Sequence, residues 1–346
     1  MPMTGRERVL AALDHRPTDR APADYQAKDE VTTRVKARLG IADTEALLEA
    51  LQIDMRGIYF NYSQPDSAPG ANGMARTMWG IPYDPAVPAA QRRPFFSEDT
   101  TVEDILALPK PDAAKLDYSG IRPQLERYHP QYATYGAPWS PFFHEVGWLI
   151  GQEDFYVWMH TKPDVVEALI RHVTDYEHEA LRRFLDACAG MLDIVYVGND
   201  FGTQRGLFIS PDCWNRFIRP PLKGFFDIAR EYGCRVMQHS CGAIRELLPA
   251  FIEDGVDVID PVQVRAAGMD LPSLVRDFGG RLSFHGGVDT QQTLPFGTPA
   301  DVQAEVRGYR DCTRARGGWI LCGSQQLMDD IPTDNVLAMY DHAART

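Results

Sequence analysis

The chain of 346 residues has no apolar run near the length that spans a bilayer, and it does not open on the basic-then-apolar pattern of an export signal. Both absences point to the cytoplasm and away from the membrane. Cations are in deficit: 35 Lys and Arg stand against 48 Asp and Glu, a formal net charge of −13. A nucleic-acid or anionic-lipid surface rewards clustered Lys and Arg, so neither partner is expected. Cysteine is scarce, with Cys188, Cys213, Cys234, Cys241, Cys312 and Cys322 making 6 in all and none in a Cys-x-x-Cys pair. That excludes a disulfide framework and predicts reduced thiols. Also missing are the Gly-x-x-x-x-Gly-Lys and Gly-x-Gly-x-x-Gly phosphate loops and the Gly-x-Ser-x-Gly elbow of a serine nucleophile.

What is present is a succession of short apolar segments separated by helical patterns. The predicted strands are Ala21 to Tyr25, Met55 to Phe60, Tyr132 to Gly136, Asp193 to Gly198, Arg235 to His239, Val256 to Ile259, Arg281 to His285 and Trp319 to Cys322. Strands alternating with helices imply right-handed βαβ units and a parallel sheet. The count makes a single (β/α)8 TIM barrel over residues 1–346, with an N-terminal helical extension, the leading architecture; an open doubly wound sheet is the alternative. Between strands, Pro163 to Arg183 places Val165, Val166, Leu169, Ile170, Val173 and Tyr176 at helical spacing, a core-facing stripe. Ser210-Pro211 and Thr298-Pro299 read as helix starts. Ser63 to Lys115 is rich in Pro and Gly and shows little periodicity, which predicts a long loop after the second strand that shapes the active-site face.

Barrel chemistry sits at the C-terminal ends of strands. Those ends read Tyr25-Gln26, Asn61-Tyr62, Asn199-Asp200, His239-Ser240-Cys241, Asp260 with Gln263, His285, and Cys322-Gly323-Ser324-Gln325. Residues two apart on a strand face the same way, so His239 and Cys241 address one point. With Cys322 arriving from another strand end, one imidazole and two thiolates make a three-ligand zinc site with an open fourth position, the catalytic arrangement. The competing reading is structural, because cysteine is often a small buried hydrophobe and histidine a satisfied core residue. Glu145, Asp200 and His285 are the catalytic candidates, with His285 also a candidate ligand and Asp200 a candidate orienting group. Tyr25, Asn61, Tyr62, Gln263 and Gln325 are the substrate-binding candidates.

Four stretches carry a family resemblance: Met3 to Leu13, Tyr135 to Ser140, His239 to Leu248 with Val256 to Ile259, and Ile331 to Val336. Over nearly its whole length the chain resembles the uroporphyrinogen decarboxylase superfamily, whose fold is a (β/α)8 barrel. One branch of that superfamily decarboxylates a tetrapyrrole without a cofactor. The other consists of zinc methyltransferases that work with corrinoids, among them the methylcobamide:coenzyme M methyltransferases. The decarboxylases' Arg-Gln-Ala-Gly-Arg-Tyr stands here as Tyr25-Gln26-Ala27-Lys28-Asp29-Glu30, their Phe-Ser-Asp as Phe60-Asn61-Tyr62, and their Gly-His-Gly as Ser324-Gln325-Gln326. The methyltransferases' His-x-Cys with a later Cys matches His239, Cys241 and Cys322, while counting back from Pro332 offers Gln325 as the alternative match to that later position. The resemblance therefore implies a zinc-dependent methyltransferase acting between a small methylated substrate or thiol and cobalamin, either free or on a separate corrinoid protein. Two other classes stand beside it: a cofactor-independent decarboxylase of a small acid, holding its substrate with Arg56, Arg205 or Arg265, and a non-catalytic relative. Monomer and homodimer are both open.

Overall fold

The computed structural model describes residues 3–60, 74–87, 94–139 and 142–346. Among these residues nine strands follow in chain order: β1 (Met55–Gly57), β2 (Ala75–Arg76), β3 (Pro82–Tyr83), β4 (Ala133–Gly136), β5 (Ile194–Gly198), β6 (Arg235–His239), β7 (Val258–Val262), β8 (Ser283–Gly286) and β9 (Trp319–Ile320). Seven form one sheet in the order β1-β4-β5-β6-β7-β8-β9, every pair parallel, curled into a half-barrel. Both faces of such a sheet are covered, and accordingly β4, β7 and β8 are buried at every position.

The first expected strand differs. Ala21 to Tyr25 makes one parallel bridge, Ala23 to Leu321, in place of a ladder. Asp24 N–H donates to the Leu321 carbonyl (2.9 Å), Leu321 N–H to that of Pro22 (2.8 Å), and on the other side Asp54 N–H to that of Ala23 (2.8 Å). Pro22 has no N–H to give, which limits pairing at this point. The segment nevertheless lies between the two edge strands.

The N-terminal ends of the strands are plugged by a helix. Thr4 caps helix Gly5–Leu13 in a capping box with Glu7. Val9 and Leu13 of that helix pack with Met55, Ala133, Tyr135, Ile194, Met237, Val258 and Ile320 in one buried cluster. Six strands contribute to that cluster. Beneath it Asp54, just before β1, accepts from Arg8 (2.7 Å), Arg20 (2.7 and 2.8 Å) and the Ala23 N–H (2.9 Å). A larger cluster joins the outer sheet face to the helices, among them Pro163–Cys188, which runs five residues beyond the expected Arg183.

The described parts of the expected long loop carry structure of their own. β2 and β3 form an antiparallel hairpin, Ala75 opposite Tyr83, and helix Val102–Ala107 follows with its own capping box at Thr101. Trp79, 1% exposed, seats this segment against His172 and Tyr176 of the long helix, ring centroids 5.7 and 5.8 Å apart. Among the described residues no helix is long and apolar enough to cross a membrane.

Candidate functional site

β6 ends at His239, and the chain turns at once through Ser240, Cys241 and Gly242. Gly242 has φ +86°, and a Cβ there would lie 2.3 Å from the Gly202 carbonyl oxygen, so only glycine lets this turn pack on the loop after β5. That packing brings Asp200 across to the two expected ligands. Asp200, His239 and Cys241 form a group whose ligand atoms all lie within 4.8 Å of one another. His239 Nε2 is 3.3 Å from Asp200 Oδ1 and 3.6 Å from Cys241 Sγ, while Asp200 Oδ1 also accepts the Cys241 N–H (2.8 Å). The group is reached by solvent: the Asp200 side chain is 33% exposed and that of His239 13%.

Behind His239 sits Asp260. Its Oδ2 is 2.8 Å from His239 Nδ1 and accepts the Tyr196 hydroxyl at 2.5 Å. A carboxylate on Nδ1 leaves Nε2 as the working nitrogen. Burial disfavours a charged imidazole, but the bonds to Asp200 and Asp260 win and hold the His239 pKa well above its ordinary value. Burial likewise opposes ionisation of Asp200, yet the His239 and Cys241 hydrogen bonds keep its carboxyl well below the usual range. The indole of Trp139 stands 5.2 Å from the His239 ring and 5.1 Å from that of Tyr196, forming a wall. His144 Nε2 accepts the Asp200 N–H at 3.2 Å.

The other expected site residues are sorted by the fold. Cys322 is not beside His239 and Cys241; it forms a second group with Asp24 and His285, all three buried. Past β9 the chain pairs with Ala23, and that register sets Cys322 by the first segment instead of by β6. Gln325 does reach the open group, its Nε2 donating to Cys241 Sγ at 3.2 Å. Gln263 stands behind it, accepting the Gly242 N–H at 2.9 Å. His285 is 0% exposed and held between Asp260 and Asp24, so it offers nothing to a substrate directly. Glu145 accepts from the Trp79 indole N–H, and burial, against that bond, raises its carboxyl pKa; it anchors the hairpin segment instead of joining the His239 group. The Tyr25 hydroxyl meets Thr32 (3.3 Å) and its ring meets Tyr340 (5.8 Å). Asn61 and Tyr62 lie outside the described residues. Asp24, Tyr196, Trp139 and His144 escaped the sequence reading. Tyr196 carries a signal, as the one position in β5 that is not fully buried and an aromatic among aliphatics.

The family profile of uroporphyrinogen decarboxylase (URO-D) matches residues 4–346. The chain belongs to the uroporphyrinogen decarboxylase family. A methylated-thiol:coenzyme M methyltransferase of Methanosarcina mazei is 26% identical over 167 residues, 48% of this chain and 41% of that protein. The match thus spans less than half of that relative. A solved structure described as a methyltransferase from Methanosarcina mazei aligns over 99% of this chain and 98% of its own with a TM-score of 0.67. At 18% identity it shows the shared fold. Of the three arginines considered for a carboxylate substrate, Arg56 is buried on Glu45 (2.6 Å) beneath the Tyr132 ring, Arg265 is paired with Asp289 (2.6 Å), and Arg205 is exposed on the loop after β5.

Proposed function

We propose that this family member is a methyltransferase that moves a methyl group between a small methylated substrate or thiol and a corrinoid carrier, with zinc held by Asp200, His239 and Cys241. The observation that carries the reading is the convergence of an imidazole, a thiol and a carboxylate at a solvent-reached strand end, the mixed N, S and O donor set that suits zinc. The family membership and the named methyltransferase relative support it. The carrier is a separate corrinoid protein or free cobalamin, and we read Ala21 to Tyr25 as the eighth stave of a complete barrel.

A zinc ion at this position supplies a Lewis acid that withdraws electron density from a bound oxygen or sulfur. The chain's own groups do the rest. Asp260, itself receiving the Tyr196 hydroxyl, fixes the His239 ring so that Nε2 faces Asp200 and Cys241. For His239 to ligate, the Nε2 proton has to leave while the other proton stays on Nδ1 and is donated to Asp260. The Gln325 amide points a donor at Cys241 Sγ, which steadies negative charge on that sulfur. Trp139 walls the approach with an apolar surface that excludes water from one side.

The test is spectroscopic. The protein is mixed with cob(I)alamin and a panel of methoxylated, methylthio and methylamine compounds, and separately with methylcobalamin and thiols, and interconversion of the two cobalt states is followed. We expect at least one donor or acceptor to give turnover that Cys241→Ser and Asp200→Asn abolish while leaving the fold intact. If no compound changes the cobalt spectrum with folded, zinc-supplemented protein, the methyltransferase reading fails.

A further inference from the structure

The second group of ligand-type side chains has no part in that reaction. Asp24 follows Ala23, which bridges to Leu321, His285 lies on β8, and Cys322 follows β9; they are 2%, 0% and 1% exposed. Their ligand atoms lie within 4.8 Å of one another. His285 Nε2 is 3.2 Å from Asp24 Oδ2, and its Nδ1 is 2.5 Å from Asp260 Oδ1.

This repeats the plan of the open group. One carboxylate, Asp260, takes His239 Nδ1 on Oδ2 and His285 Nδ1 on Oδ1. Each ring is thereby turned so that Nε2 addresses an aspartate, Asp200 or Asp24, with a cysteine in the same group. A carboxylate behind the imidazole, with the other nitrogen free to ligate, is the usual support of a metal-binding histidine.

We propose that Asp24, His285 and Cys322 form a second, buried metal site for a borderline divalent ion of the zinc class. Sulfur, nitrogen and oxygen donors together select such an ion over magnesium or calcium, which take oxygen alone. A dication balances one thiolate and one carboxylate beside a neutral imidazole, so the ligand set itself is neutral, and the Asp260 carboxylate behind it is held by the His239, His285 and Tyr196 hydrogen bonds. Loading releases the thiol proton and the proton shared between His285 and Asp24, and the shielded position makes it an event of folding instead of turnover. The benefit is mechanical. The segment carrying Asp24 meets the chain after β9 by two isolated bridges, Ala23 to Leu321 and Ala27 to Leu327, and an ion on Asp24, His285 and Cys322 adds a tie to β8.

Elemental analysis of the full chain expressed with zinc, together with cobalt(II) substitution read through thiolate-to-cobalt absorption, tests this independently of methyl transfer. We expect about two equivalents of metal per chain, one lost in Cys241→Ser and the other in Cys322→Ser and in His285→Gln. A single equivalent removed only by Cys241→Ser overturns the second site and leaves the methyltransferase reading standing. A single equivalent removed only by Cys322→Ser or His285→Gln supports the buried site and defeats the open one. One equivalent lost in both cysteine variants means a shared site and overturns the proposal. Should the Cys322 and His285 variants fail to fold, Cys241→Ser decides: about one equivalent retained after saturation with zinc supports the buried site, and none retained overturns it.

Discussion

At the N-terminal ends of the strands arginines converge on Asp54; at the C-terminal ends two histidines converge on Asp260. Both carboxylates are about 1% exposed, and both are satisfied on each oxygen. The partners differ. Arg8 and Arg20 carry permanent charge and give rigid multiple hydrogen bonds, and Arg345 lies 3.5 Å from the same carboxylate. The Asp260 partners are imidazoles, whose outer nitrogens exchange protons and can ligate. A cavity of about 510 Å³ opens beside Asp54, yet the Arg8, Asp19, Arg20 and Asp54 side chains that line it are already paired with one another. Beside His239, by contrast, the Asp200 carboxylate is reached by solvent. Buried charge saturated by arginine therefore marks the end that holds the fold, and buried charge held by histidine marks the end to which we assign the proposed chemistry.

The largest effect expected of this contrast is at Asp54. Asp54→Asn leaves the buried guanidinium groups of Arg20 and Arg345 without a counter-charge and Arg8 with Asp19 alone, so we expect a loss of about 3–5 kcal/mol in urea unfolding, with metal content unchanged. A loss under about 1 kcal/mol breaks the assignment of this end to stability. Asp260→Asn comes next. Its amide cannot accept from both imidazoles at once, so zinc affinity at the open site should fall about 10–100-fold in competition with a chromophoric chelator, with less loss of stability than at Asp54. Unchanged affinity combined with a stability loss as large as that of Asp54→Asn makes Asp260 a structural counterpart of Asp54 and removes the contrast.

The parts of this picture legible in the sequence are those set by local periodicity. His239 and Cys241 meet because they lie two apart at a strand end, and the parallel sheet follows from strands alternating with helices. Asp200 was visible as a polar end to a strand, although its reach to the Cys241 N–H depends on the Gly242 turn. Cys322 shows where local reading stops. Which ligands it joins depends on the register between β8 and β9, His285 opposite Ile320, and on the bridge from Leu321 to Ala23, neither of which has a local signature. The family spacing offered Gln325 as the alternative, and its side chain is the one at Cys241. The place of Glu145 has no local signature for the same reason: its partner, Trp79, lies in a Pro/Gly-rich segment 66 residues away. The first stave is read as a strand on its apolar content, and Pro22, whose missing N–H shortens the ladder, leaves it a single bridge from Ala23 to Leu321.

The smallest expected effect tests whether the arginine-held end behaves as a set of permanent ion pairs. Asp19 receives Arg8 Nε at 2.6 Å and Nη2 at 2.9 Å. The Arg8 hydrogen bonds, opposed by partial burial and helped by the guanidinium charge, hold its carboxyl at about 2, below the ordinary 3.8. A folded-state pKa below the unfolded one means that the pair's contribution is fully present above the unfolded value and is lost as pH falls from about 4 through about 2. The Asp19 side chain is 39% exposed, so solvent screens the pair and the contribution is a fraction of what the shift alone implies. The measurement compares urea unfolding of the wild type and Asp19→Asn at about pH 6, 4 and 3, where the general acid sensitivity of an acidic protein cancels in the difference. We expect the wild type to be the more stable at about pH 6 and the gap to narrow steadily below about pH 4. A gap that stays constant over that range shows that Asp19 acts through packing or its backbone hydrogen bonds, and that the charge-saturated character of this end rests on Asp54 alone.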